Sequence, residues 1–357
     1  MNSKTKEFLK KKNINISAKT YFVDAMSGMA QGLFASLLVG TILSTISKYV
    51  GMIDGAFFER FAHFLSKAGT MSSAISGAAI GVGIAAALNA PMLVMACAAA
   101  VGYFANAYPG QPYAAGPLGV FIAVIIAVEL GKAISKETKV DILVTPIVTL
   151  GAGYLVAYLT CPAIAVAMNW LGEFINLATT LHPFAMGIVI SVVVGIILTL
   201  PISSAAICAS IGIAGIAGGA ALAGCCAQMV GFAVASFREN KWGGIVSQGL
   251  GTSMLQMPNI VRHPLIWVPA TLAAAITGPL ATVVFKLECS KVSAGMGTCG
   301  LVGPIGCFSD MSASGTLDAK AWIGMAVVCI IAPAVLSLVF SEIMRKMGLI
   351  KPDDMKL

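Results

Sequence analysis

Two stretches of this chain, residues 68–128 and 174–237, contain no Asp, Glu, Lys or Arg. A soluble domain carries a charge at about one residue in four. Runs of this length in water would leave a surface that could not stay dispersed. A bilayer removes the difficulty, and each run is long enough for two or three helical spans of about 20 residues. Composition agrees, with 10% charged residues, 58% hydrophobic residues and a mean hydropathy of +0.91. The apolar runs are continuous, whereas a transmembrane barrel requires alternation in segments of about ten. The fold class expected is an all-α polytopic membrane protein.

Candidate spans fall at 21–48, 70–88, 90–107, 116–134 and 141–160, then at 184–200, 202–218, 219–236, 243–257 and 264–285, with a last one at 321–344. Residues 56–67 set Phe57, Phe58, Phe61, Phe64 and Leu65 against Glu59, Arg60 and Lys67, the pattern of an interfacial amphipathic helix. The mixed polarity of 161–182 suggests an interfacial connector. The two groups of five match in order. SLLVGTIL (36–43) answers SVVVGIIL (191–198), and SSAISGAAIG (72–81) answers SSAAICASIG (203–212). CAAAVGYFA (97–105) answers CAQMVGFAV (226–234), and KVDILVTPIVTL (139–150) answers RHPLIWVPATLA (262–273). Two repeats with an odd number of crossings are inverted relative to one another, as in many secondary transporters. The expected organisation is a basic tail over 1–20, a first repeat over 21–160, the connector over 161–182 and a second repeat over 183–286. A Gly-rich segment over 287–320 and a last span with a basic tail over 321–357 complete it.

Within 287–320 the run GMGTCGLVGPIGC (295–307) holds Gly295, Gly297, Gly300, Gly303, Gly306 and Pro304 without one charge. Glycine costs about 1 kcal/mol and proline about 3 inside a helix. Lipid does not tolerate exposed irregular backbone, but a protein-lined cavity does. The run therefore reads as a re-entrant hairpin or broken helix beside a ligand. The alternative is close helix packing through small residues.

Charges orient the chain. Lys4, Lys6, Lys10, Lys11, Lys12 and Lys19 face only Glu7 in the first 19 residues, which places the N-terminus in the cytoplasm by the positive-inside rule. The net charge of +7 is read as orientation and contact with anionic lipid, with no nucleic-acid partner. No metal or other cofactor is expected. Six of the nine cysteines sit in apolar runs, and Cys289, Cys299 and Cys307 lack ligand spacing and a nearby histidine.

Ionisable groups inside a membrane are functional candidates by default. Asp24 lies near the start of the first span, within reach of the interface, and Glu129 with Lys132 reads as a helix-surface pair at i,i+3. His63 and His182 suit interfacial and helix-start positions. His263 stands out because Gln248, Gln256, Asn259 and Arg262 surround it in sequence, and amides with an imidazole suit a polyhydroxy ligand. Asp310 suits a base or a cap. Asn106, Gln111 and Tyr113, in FANAYPGQPY, form a polar break in the first repeat.

With these features in view, the chain resembles the membrane subunit (IIC component) of sugar phosphotransferase systems, over about residues 21–345. The resemblance is closest to a branch that includes a clostridial toxin-regulating membrane protein. It rests most on GTSMLQMPNIVRHPLIWVP (251–269) and GMGTCGLVGPIG (295–306). It implies a homodimer in the bacterial cytoplasmic membrane that moves a sugar in elevator fashion. It also implies phosphate supplied by separate IIA and IIB subunits, and no catalytic residue of the chain's own. The sugar would lie between two re-entrant hairpins, held by a histidine and a glutamate. His263 is the candidate for the first, and Thr298 stands where the glutamate would be. The candidate ligand-binding set is thus Gln256, Asn259, His263, Gly297, Thr298, Gly300, Asp310, Asn106 and Gln111. A membrane sensor that binds such a ligand without transporting it is the alternative.

Overall fold

The computed structural model describes residues 3–108, 115–291 and 293–357, and among them it contains helices, turns and one isolated bridge but no strand. Among the described residues six helices are long and apolar enough to cross a membrane, or seven if one bent pair counts as a span. The chain forms two compact units, one of Met1–Gly40 with Ala68–Met168 and the other of Thr41–Lys67 with Asn169–Leu357.

In the first unit, α1 (Ser3–Lys11) precedes a long helix α2 (Thr20–Val50), whose residues to Gly40 belong here. Helix α3 (Ala56–Ala74), which enters this unit at Ala68, bends by 51° into α4 (Ser76–Ala87). Helices α5 (Met92–Asn106), α6 (Gly116–Ile134) and α7 (Asp141–Ala178) follow, and α7 belongs here as far as Met168. Without water, helices associate through van der Waals contact, so small residues gather where backbones meet. Helix α2 packs on α4 through Gly28 and Gly83, where a Cβ on Gly28 would stand 2.3 Å from the Gly83 carbonyl oxygen. The Glu129–Lys132 pair is not a surface pair, because Lys132 is buried. Its ammonium donates to the Leu88 carbonyl at 2.9 Å and to Glu129 at 3.2 Å, so its charge is satisfied inside the unit. Lys12 reaches the turn between α6 and α7, donating to the Ser135 carbonyl and pairing with Glu137 at 2.6 Å.

In the second unit, α8 (Pro183–Thr199) and the short α9 (Ser204–Ile211) lead to α10 (Gly215–Ala235), which is buried along nearly its whole length. Helix α10 is the axis of this unit, touched by α8, by α13 (Pro264–Val284) and by α15 (Ala319–Lys346). Between α10 and α13 run α11 (Phe237–Gly244), a π-helical turn (Ile245–Gly251), a 3-10 turn (Ser253–Gln256) and α12 (Met257–Arg262). Helix α14 (Val302–Ala313) precedes α15. Serine fills polar demand between spans: Ser191 Oγ donates to the Ala274 carbonyl at 2.7 Å, joining α8 to α13.

Two expected spans are broken, and two more, 90–107 and 184–200, form apolar helices of only 15 and 17 residues. Residues 202–218 break into α9 and the start of α10 because Gly212 and Gly215 take positive φ, 76° and 61°. Residues 243–257 are short helical pieces, divided where Thr252 is extended (φ −158°, ψ 140°). The expected interfacial connector begins inside α7, which runs unbroken from Asp141 to Ala178 across Pro146 and Pro162.

Candidate functional site

The first half of 295–307 is a break, while Gly303, Pro304 and Gly306 fall in the start of a helix. Residues 295–298 turn, Cys299–Leu301 make one 3-10 turn, and α14 begins at Val302. Gly297 takes φ +54° against α10, and a Cβ there would meet the Cys225 Cβ at 2.9 Å and the Cys225 carbonyl carbon at 3.0 Å. Only glycine satisfies both the conformation and the space. Gly300 and Leu301 also take positive φ, 53° and 59°. For a leucine this is a costly conformation, held by the surrounding turn.

Thr298 is buried, and its hydroxyl donates to the Gly249 carbonyl on the π-helical turn. The tip of the broken segment is therefore tied to the segment that carries Gln248. Asp310 lies at the base, where its carboxylate accepts from the Ser290 amide at 2.7 Å and closes the segment's two ends together. Ser290 lies outside any helix, so this bond ties two chain segments together and is not a helix cap.

A ladder of buried amides continues from the π-helical turn. Gln248 Nε2 donates to Ser236 Oγ at 2.9 Å, and Gln256 Nε2 donates to Gln248 Oε1 at 2.9 Å. Asn259 Nδ2 donates to Gln256 Oε1 at 2.9 Å. Gln256, Asn259 and the neighbouring Asn240 make further bonds that converge on residues 355–357, whereas the second bond of Gln248 goes to the Gly244 carbonyl. Gln256 Nε2 and Asn240 Nδ2 both donate to the Met355 carbonyl, at 2.8 and 2.7 Å. Asn259 Nδ2 donates to the Lys356 carbonyl at 2.8 Å, and Asn240 Oδ1 accepts from the Leu357 amide at 2.9 Å. His263 joins through Nε2, 3.5 Å from Asp354 Oδ1, an ion pair when the imidazole is protonated. The end of α15 is held beside the ladder by Arg345, which pairs with Glu239 at 2.8 Å out of solvent and donates to the Ala235 carbonyl.

A second polar group sits deeper in the same unit. Gln228, fully buried in α10, accepts from Trp267 Nε1 at 3.0 Å and donates to Thr271 Oγ1 at 3.2 Å. Thr199 shares a 2.8 Å hydrogen bond with Ser253 beside it. Sequence reasoning missed Gln228, Ser236 and Asn240. Gln228 had a signal, being the one Gln or Asn in 183–237.

The structure brings Gln256, Asn259 and His263 together, with Thr298 linked through Gly249. Gly297 and Gly300 shape the turn. Asn106 ends α5 in the first unit, and Gln111, like Tyr113, lies outside the described residues. No group of three or more His, Cys, Asp or Glu able to hold a metal occurs among the described residues.

A multi-pass α-helical membrane protein whose second unit joins a glycine-broken segment to a ladder of buried amides is the class these features define. The chain matches the family described as "Phosphotransferase system, EIIC" over residues 23–357, and it belongs to that family. No curated protein matches it.

Proposed function

We propose that this chain is a permease of the phosphotransferase IIC type, binding and translocating a sugar or similar polyhydroxy compound. The observation that carries this reading, beside the family, is the convergence of Asn240, Gln256 and Asn259 donors within an apolar unit. A few placed polar groups in apolar surroundings are how small polar solutes are oriented. Phosphate comes from separate IIA and IIB subunits in this reading. The working form is a homodimer in the bacterial inner membrane with the N-terminus inside. The ordered sequence matches support inverted repeats.

A second reading, a membrane sensor that binds the solute without transporting it, is favoured by the broken segment itself. Residues 293–309 carry no ionisable group other than the thiols of Cys299 and Cys307, and Thr298 already spends its hydroxyl on Gly249.

Thermal unfolding of the purified chain with glucose, N-acetylglucosamine, mannitol and their 6-phosphates tests the binding both readings share. At least one is expected to raise the midpoint, and Asn259→Ala and His263→Ala are expected to remove the rise. A rise unchanged in both variants, or none with any probe, refutes the assignment. Uptake of the bound sugar into proteoliposomes then separates permease from sensor.

A further inference from the structure

We propose that the segment 350–357 is a displaceable internal ligand of the amide niche, so that the niche is self-occupied at rest and opens when this segment leaves. The inference rests on reading the niche as the solute site.

The contacts are of a replaceable kind. Asn240, Gln256 and Asn259 give their donors to two successive main-chain carbonyls, Met355 and Lys356, and to no side chain of the segment. Donors that recognise acceptor oxygens at this spacing are suited equally to adjacent hydroxyls of a polyhydroxy solute. A peptide carbonyl and a sugar hydroxyl are interchangeable to an amide N–H.

The segment is also lightly held. It leaves α15 at Gly348, where φ is +73°, and contains no helix. Ile350 and Met355 are its buried residues, while Lys351, Pro352, Asp353, Lys356 and Leu357 are exposed. The end of α15 is fixed by Arg345 with Glu239 and by Arg238 with Glu342 at 2.8 Å, and Arg345 makes only one polar contact to the segment, to Met355 Sδ at 3.9 Å. Detachment therefore costs a methionine, an isoleucine, the His263–Asp354 contact and a handful of hydrogen bonds, and dismantles no helix. Segments with few buried contacts open first.

Departure leaves buried donors without partners, which is unfavourable unless another acceptor enters. Segment and solute thus compete for the same N–H groups. The solute's apparent affinity falls by the fraction of molecules whose niche is open. Anything that draws 350–357 away raises that affinity without touching the niche.

A dye-labelled, C-terminally amidated peptide of residues 350–357 provides the test. It is titrated by fluorescence anisotropy against the detergent-purified full chain and the chain ending at Leu349. Saturable binding to the shortened chain is expected, about tenfold weaker in the full chain and about tenfold weaker when the shortened chain carries Asn259→Leu. No saturable binding by a shortened chain that still unfolds cooperatively, or equal binding by the full chain, overturns the proposal. If the shortened chain does not fold, the full chain with Met355→Cys is alkylated with N-ethylmaleimide and read by site-resolved mass spectrometry. Its rate is expected to be about tenfold below that of Lys351→Cys and to rise when Asn240→Leu is added; equal rates overturn the proposal. Peptide binding without any sugar effect would refute only the solute reading. A sugar effect without peptide binding would refute only the internal ligand.

Discussion

Gly297→Ala asks one methyl group to test the broken segment. Two costs follow from the structure. The residue has φ +54°, and an L-residue held there loses about 1–2 kcal/mol. The new Cβ also stands 2.9 Å from the Cys225 Cβ and 3.0 Å from the Cys225 carbonyl carbon. Both belong to α10, the buried axis of the unit, so neither yields as the end of a flexible side chain would. Overpacking of this sort costs about 1–3 kcal/mol. The expected destabilisation is the sum, about 2–5 kcal/mol. It is read from the midpoint of SDS unfolding in mixed micelles, followed by circular dichroism. Gly151→Ala in α7, where nothing lies within 4 Å of the added Cβ, serves as the control. It is expected to be neutral or to gain up to about 1 kcal/mol of helix propensity. If Gly297→Ala changes stability by less than about 0.5 kcal/mol, as an ordinary surface substitution does, the turn against α10 is refuted.

Arg345→Met leaves Glu239 buried without its partner, so a loss of about 3–5 kcal/mol is expected in the same unfolding assay. Adding Glu239→Leu should recover most of it, and no recovery would show that the pair is not what the two side chains contribute. Gln228→Leu orphans the Trp267 indole N–H, with an expected loss of about 1–3 kcal/mol, reduced in the double variant with Trp267→Phe. Outside the spans, the hydrogen bond from Lys12, then its charge and that of Lys11, hold the Glu137 carboxyl below its usual range. A depressed carboxylate stabilises the fold above its unfolded-state pKa, and that contribution disappears as pH falls through the folded-state value. The stability difference between wild type and Glu137→Gln is therefore expected to be constant near neutrality and to close in the acid range. A difference that grows on acidification contradicts the pairing.

The solvent of this protein was legible in its sequence, because charge-free runs of this length have no soluble solution. The break at 295–301 was legible too from its glycines, although Gly303, Pro304 and Gly306 of the same run are accommodated in the first turns of α14. Local clustering also pointed to Gln256, Asn259 and His263, but what they bind was invisible. The partners of Gln256 and Asn259 lie 99 and 97 residues away in sequence, and no periodicity records a contact at that distance. The number of spans was overstated for a related reason. In 202–218 the break comes from positive φ at Gly212 and Gly215, and in an Ala/Gly-rich run such glycines look the same as those that pack helices. Burial of Lys132 escaped notice because spacing on α6 reveals Glu129 but not the Leu88 carbonyl.

One short element joins the two halves of the candidate site. The π-helical turn Ile245–Gly251 presents the Gln248 side chain to the amide ladder and the Gly249 carbonyl to Thr298. An α-helix would bond each carbonyl to the amide four residues on, whereas π-turns alter that pattern and recur at functional sites. Here the altered pattern coincides with a carbonyl bonded to a hydroxyl 49 residues away. A displacement of the glycine-broken segment must either break the Thr298 bond or carry the turn with it. In the second case Gln248 moves, and the Gln256 and Asn259 amides lose the geometry in which they hold Met355 and Lys356. Occupancy of the niche and the position of the broken segment are then two readings of one coupled equilibrium. Whatever binds the niche more tightly in one arrangement shifts the other by the same free energy.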